Sequence, residues 1–254
     1  MTTNAAIHSE AAPARRRLIL ALGRGKSGKT IWTRWLMEAM RARGINPVVA
    51  DGDSHGIGLC RYDESALQLA RYGCDEQSWW GEVLADSKDR GGRPVVVDFS
   101  LDAGLIHRVD PEGTEFRDRY AEIGFDVTRV CFFAPDAGDA DAFVNTGARV
   151  TASDTLLVLN EGAPGERGSG QFDRVLAHPA VREAIDQGAH VARMPTLRAD
   201  LAGDAGGEMT SLIAFANGPG AGEEPLAFKR VAMRMWLGRM ETAFAPFSRE
   251  IALG

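Results

Sequence analysis

The residues whose types and spacing can do chemistry lie near the start of the chain, in Gly23-Arg24-Gly25-Lys26-Ser27-Gly28-Lys29-Thr30. They fit G-x-x-x-x-G-K-[ST], the phosphate-binding P-loop. Its glycines let backbone N–H groups close around a polyphosphate, its lysine (Lys29) reaches the outer phosphates, and its hydroxyl (Thr30) ligates Mg2+. An acid must then hold the metal's hydration shell, and Asp98 ends the apolar run Val95-Val96-Val97 as that role requires. A second acidic site, Asp51-Gly52-Asp53, ends another apolar run. Acids at the carboxyl ends of parallel strands face the crevice where ligands bind, so Asp51 is expected near the metal and Asp53 beside the attacking water. The plain alternative for this pair is an ordinary Asp/Gly turn.

Those groups meet only if strands deliver them to one edge. Leu18 to Leu22 reads as a buried strand before the loop, and Thr30 to Arg43 as the helix after it, with Ile31, Trp35, Leu36 and Met40 at helical spacing. That order points a helix N-terminus at the anion. Further strands are expected at 46–51, 94–98, 127–133, 155–159 and 190–194, the last stopped by Pro195. Helices are expected at 63–90 in two pieces broken near Gly73, at 113–123, from 137 to about Val144, at 171–187 and at 226–246. Apolar strands alternating with helices predict an α/β fold, a mostly parallel central sheet with helices on both faces. Residues 161–170, 202–207 and 216–223 read as glycine-rich loops, and Gly104 as a hinge after the Asp98 strand. Residues 1–16 are expected to be a disordered tail, with 17–254 a single domain.

Composition sets the bounds. A chain of 254 residues with 44% hydrophobic and 25% charged residues is ordinary for a soluble globular protein. Its net charge of −6 argues against a globally basic nucleic-acid binder. Cys60, Cys74 and Cys131 form no even framework, which fits reduced thiols in the cytoplasm, and with His55 they lack the paired spacing of a zinc site. No apolar run reaches the ~20 residues of a membrane-spanning helix. Phe228, Val231, Met235, Trp236 and Met240 form a stripe on the last helix with arginines interleaved. Packing on the sheet is its ordinary explanation, and insertion at a membrane surface the sharper one.

Taken together, the P-loop, the acid-tipped strands and Asn160 at the end of Leu157-Val158-Leu159 resemble the ParA/MinD family of deviant-Walker P-loop ATPases. Arg24 stands where that family has its signature lysine, and Lys26 where it has a glycine. The resemblance implies a slow ATPase that takes ATP and Mg2+ and forms a homodimer when ATP is bound. It also implies that Arg24 acts on phosphate, that Asn160 reads the adenine edge, and that Pro195 belongs to a loop lining the base. DNA or a DNA-bound partner protein, in plasmid partition, conjugative transfer or intracellular positioning, is the implied context. Peripheral membrane contact through the last helix is a further option. A different class also fits: Asp51-Gly52-Asp53-Ser54-His55-Gly56 with Arg61 resembles the substrate loop of adenylylsulfate kinases, which would make the protein a small-molecule kinase.

Overall fold

The computed structural model describes residues 15–53, 58–73, 75–89, 92–99, 105–109, 115–145, 150–165, 168–198, 200–201, 211–218 and 224–254. The tail at 1–14, His55, Cys74, Gly104 and the 202–207 loop lie outside them. Strands β1 (Arg16–Leu22), β2 (Val48–Asp51), β3 (Leu67–Gln68), β4 (Val95–Asp98), β5 (Phe125–Phe133), β6 (Asp154–Asn160) and β7 (His190–Met194) form one sheet in the order β3-β2-β4-β1-β5-β6-β7. Every pairing is parallel. All seven strands therefore end at the same edge, and β1, which feeds the loop, lies between β4 and β5.

A two-residue period splits the strands between two cores. Leu18, Leu20 and Leu22 of β1 face one side, where they join Val95, Val97, Val127 and Leu157. There they meet α2 (Glu76–Asp89), α3 (Leu105–Val109), α4 (Phe116–Glu122), α5 (Ala137–Asn145), α6 (Asp173–Ala177) and α7 (Pro179–Asp186), through residues such as Trp79, Trp80, Phe116 and Phe143. Ile19, Ala21, Val96, Phe132 and Val158 face the other side, under α1 (Lys29–Ala42), α8 (Leu212–Asn217) and α9 (Glu224–Phe244). On that side the Trp32 ring lies 5.4 Å from Phe132, and Trp35 lies 5.1 Å from Phe244, so α1 is wedged between sheet and last helix. No helix is long and apolar enough to cross a membrane among the described residues.

The architecture agrees with the expected parallel α/β sheet, and several element boundaries are corrected. The first piece expected to be helical within 63–90 is instead the edge strand β3 followed by a short 3-10 turn at Leu69–Tyr72. The helix expected over 171–187 is two helices, because Pro179 has no N–H to continue the first; His178 caps the second by accepting the Ala180 N–H. Part of the loop expected at 216–223 is the end of α8, which Ser211 caps through the Ala214 N–H. Arg16, expected to be the last residue of a tail, is already paired in β1, and its neighbours are anchored too. Arg15 bonds Asp126, Arg17 bonds Asp154, and the Arg16 guanidinium lies 4.1 Å from the Phe125 ring centre. The basic triplet is thus structural.

Helix α9 buries Met233, Trp236, Met240 and Phe244, at helical spacing, against the sheet. Phe228, Val231 and Met235 from the expected stripe point outward instead, with Phe228 61% and Met235 64% exposed. The Trp236 indole N–H donates to the Pro195 carbonyl at 3.0 Å, tying the last helix to the segment after β7. Trp236→Phe strands that buried carbonyl and leaves a small void, so a loss of about 2 kcal/mol is expected in urea unfolding.

Candidate functional site

The loop between β1 and α1 owes its shape to two glycines. Gly23 has φ of +144°, and a Cβ there would sit 2.8 Å from the Phe132 carbonyl oxygen on β5. Gly28, with φ of +102°, is the left-handed N-cap of α1, where a Cβ would lie 2.2 Å from the Asn160 amide nitrogen. Between them, in the same turn as Arg24 and Gly25, Lys26 holds φ of +63° without being a glycine. Helix α1 carries no side-chain cap and no acid in its first turn. Its N-terminal N–H groups and dipole therefore suit an anion.

Two side chains close the loop from within. Lys29 is buried, and its Nζ donates to the Gly23 and Arg24 carbonyls at 2.8 Å each. Burial pulls its pKa down, while the charges of Asp98 and Asp139 push it back up. Thr30 Oγ1 donates to Asp98 Oδ2 at 2.6 Å. Asp98 is fully buried, and that desolvation raises its pKa to about 6 against the pull of Lys29. The other carboxylate oxygen, Asp98 Oδ1, and the Ser27 hydroxyl are buried with no hydrogen bond among the described residues. Orphaned polar atoms at this depth call for a ligand or water. Thr30 and Asp98 thus fit a hydrated Mg2+, and Ser27 with the loop N–H groups fits phosphate.

The other acids take separate roles. Asp51 is level with Asp98 on the neighbouring strand, but both of its oxygens are already engaged. Oδ1 accepts the Asp53 N–H at 3.0 Å, and Oδ2 accepts the Cys60 N–H at 2.8 Å. Burial raises its pKa, and its visible work is to shape the loop after β2. Asp53 is buried in the same crevice, where its charge and that of Asp51 both raise the Asp98 pKa. Arg24 reaches sideways to the turn after β5. Its Nη1 donates to Asp139 Oδ1 at 3.1 Å and lies 3.6 Å from Asp136 Oδ2.

Asn160 does join the loop. Its Nδ2 donates to the Ser27 carbonyl at 2.8 Å, and its Oδ1 accepts the Gly162 N–H at 2.9 Å. Each polar atom keeps one further hydrogen-bonding capacity. Asn160 and Gly162 line a cavity of about 300 Å3 beside the P-loop, with Thr30, Ile31, Arg34, Tyr62, Met194 and Leu197. That is large enough for part of a small ligand, and its walls are mixed apolar and polar as such sites require. Met194 and Leu197 form the wall expected of Pro195, which is itself buried between them in sequence. Sequence reasoning missed Arg34 and Tyr62, whose guanidinium and ring lie 4.2 Å apart. Arg34 looks like a surface residue of α1, and only its spacing from Glu38 marks it. Asp139 was also missed, although Ala134-Pro135-Asp136 after an apolar strand repeats the logic that found Asp51 and Asp98.

Two substitutions test this geometry without any ligand. The Asp98 pKa in the fold stands above its ordinary value of 3.8, so ionisation opposes folding, and stability falls as pH rises from 3.8 to about 6. Asp98→Asn should therefore raise the stability of the metal-free protein on the order of 2 kcal/mol at pH 7.5. The gain should vanish below about pH 4 when melting is followed across pH. Lys26→Gly relieves a left-handed side chain and should raise the melting temperature by about 2–4 °C.

No protein-family model and no curated protein sequence matches the chain. Among solved structures, it is similar to the MinD cell division protein of Aquifex aeolicus, with 12% identity, TM-score 0.46, 88% of this chain and 97% of that one. It is also similar to a protein assigned to plasmid partition from Borrelia burgdorferi B31, bound to AMPPNP, at 8% identity, TM-score 0.45, and 89% and 99% coverage. Cell division protein FtsY of Thermotoga maritima follows at 13% identity, TM-score 0.44, and 87% and 69% coverage. By its own loop and strand order the chain has a P-loop NTPase fold.

Proposed function

We propose that this protein binds and slowly hydrolyses Mg·ATP and uses it as a ParA/MinD-like dimerisation switch. The observation that carries the reading is the Thr30–Asp98 hydrogen bond, 2.6 Å long, at the mouth of a glycine-shaped loop on an uncapped helix N-terminus. Thr30 and Asp98 hold the metal, which supplies charge neutralisation on the phosphates. The loop N–H groups from Gly25 to Thr30 bind the phosphates, and Lys29 exchanges its two loop carbonyls for phosphate oxygens. Asp53 orients the attacking water from the shared crevice, while Asp51 keeps the loop that carries Asp53 in place. The nucleoside enters the cavity beside Asn160, whose remaining donor and acceptor match the donor–acceptor edge of adenine.

Arg24 provides the switch. It is half exposed at the rim of the loop, and its planar fork suits a bidentate grip on phosphate of a second copy of this chain. The paired state acts on DNA or a DNA-bound partner, and hydrolysis ends it. The kinase reading draws no support from Asp51, whose two oxygens serve its own loop.

Size-exclusion chromatography with ATP, ADP and a slowly hydrolysed analogue is the test. A shift to dimer is expected with ATP and the analogue only, with phosphate released to water. Arg24→Ala should abolish the shift while the monomer still binds nucleotide. A monomer in every state, with phosphate passed to a small acceptor, would sink the switch in favour of the kinase.

A further inference from the structure

Arg24 is held by its own chain, and three features build the hold. Asp139 is 4% exposed, and its Oδ2 accepts the Ala134 N–H at 2.6 Å, which fixes the carboxylate in place. Its Oδ1 takes Arg24 Nη1 at 3.1 Å, with Asp136 Oδ2 at 3.6 Å as a second anion. Gly138, in the first turn of α5, leaves the room: a Cβ there would stand 2.8 Å from Arg24 Nη1 and 3.2 Å from Asp136 Oδ1. Gly138 also donates its N–H to Asp136 Oδ1 at 2.8 Å, so backbone, acid and cation interlock.

We propose that Asp139 is a positioning residue: with Asp136 it holds Arg24 in a carboxylate clamp that a triphosphate must displace before Arg24 can grip phosphate. The inference rests on the reading of Arg24 as a phosphate ligand. Arg24 has a single side chain, and its fork must leave Asp139 and Asp136 to close bidentately on phosphate of a second copy, so carboxylate and phosphate compete for it. Whatever free energy the clamp supplies to the empty protein is subtracted from triphosphate binding. The clamp thereby sets a threshold, favouring ligands with enough terminal charge to win Arg24 away. Asp139 also lies close enough to Lys29 to act on its ammonium, so two of the loop's three cations feel the same acid.

Binding of fluorescent ATP and ADP analogues to three single and two double variants tests this, with ATP-driven dimerisation as a parallel readout. Asp139→Asn keeps an oxygen for the Ala134 N–H and removes the charge. Gly138→Ala keeps every charge and crowds Arg24 out, at a helical position where alanine is favoured. Each should tighten triphosphate binding about threefold to tenfold and leave diphosphate binding nearly unchanged. In the Arg24→Ala background neither substitution should have an effect, the signature of coupling through Arg24. Equal shifts in both backgrounds would show a merely structural role for Asp139 and overturn the clamp. If neither variant tightens triphosphate binding or eases dimerisation, in a protein where Arg24→Ala weakens either one, the clamp alone is overturned. If Arg24→Ala changes neither triphosphate binding nor dimerisation, the phosphate role of Arg24 fails and the clamp with it.

Discussion

A hydroxyl–carboxylate hydrogen bond joins the second residue of α1 to the last residue of β4, and much of the molecule is arranged to keep it dry. Asp98 lies at the end of a strand buried on both faces, so its charge is costly and is offset mainly by Lys29 and Thr30. Removing water from a carboxylate makes it a stronger partner for any cation that arrives. Among the described residues the same burial leaves Asp98 Oδ1 without a hydrogen bond. The protein therefore stores an unfavourable interaction at one point of the sheet, as functional sites commonly do.

Rigidity around that point comes from the two cores. On one face Trp32 and Trp35 fix α1 against Phe132 and Phe244, so the helix that carries Lys29 and Thr30 cannot tilt freely. Glu38, further along α1, accepts the Ser211 hydroxyl and the Leu212 and Ile213 N–H groups, and so caps α8. On the other face Trp79 and Trp80 pack on Phe99, the residue that follows Asp98. The acid and the helix it meets are each braced by aromatic packing from opposite sides of the sheet.

Much of this was legible in the sequence, for reasons that differ from residue to residue. Gly23, Gly28, Lys29 and Thr30 are local: their spacing alone dictates a loop and what it can hold. Asp98 was legible because apolar strands end at one edge in a parallel sheet, and Asn160 only through the resemblance to the ParA/MinD family. The fate of Asp51 was not, since its partners are backbone N–H groups of a loop whose path no periodicity encodes. Nor was the short edge strand β3, two residues with no alternation to read. Arg24 was legible as a cation but not in its aim, because the acids that hold it come from the far end of β5, and long-range pairing leaves no trace in local pattern.

The bond from Asn160 to the Ser27 carbonyl has a geometric consequence. It makes the residue beside the cavity and the cradle beside the helix N-terminus parts of one rigid body, with the end of β6 as its spine. The separation between those two places is then a property of the protein, not of whatever enters. Such a body works as a ruler. Under the proposed function a nucleotide is measured end to end, and only one whose ring and charged tail are spaced to match the ruler engages both ends together.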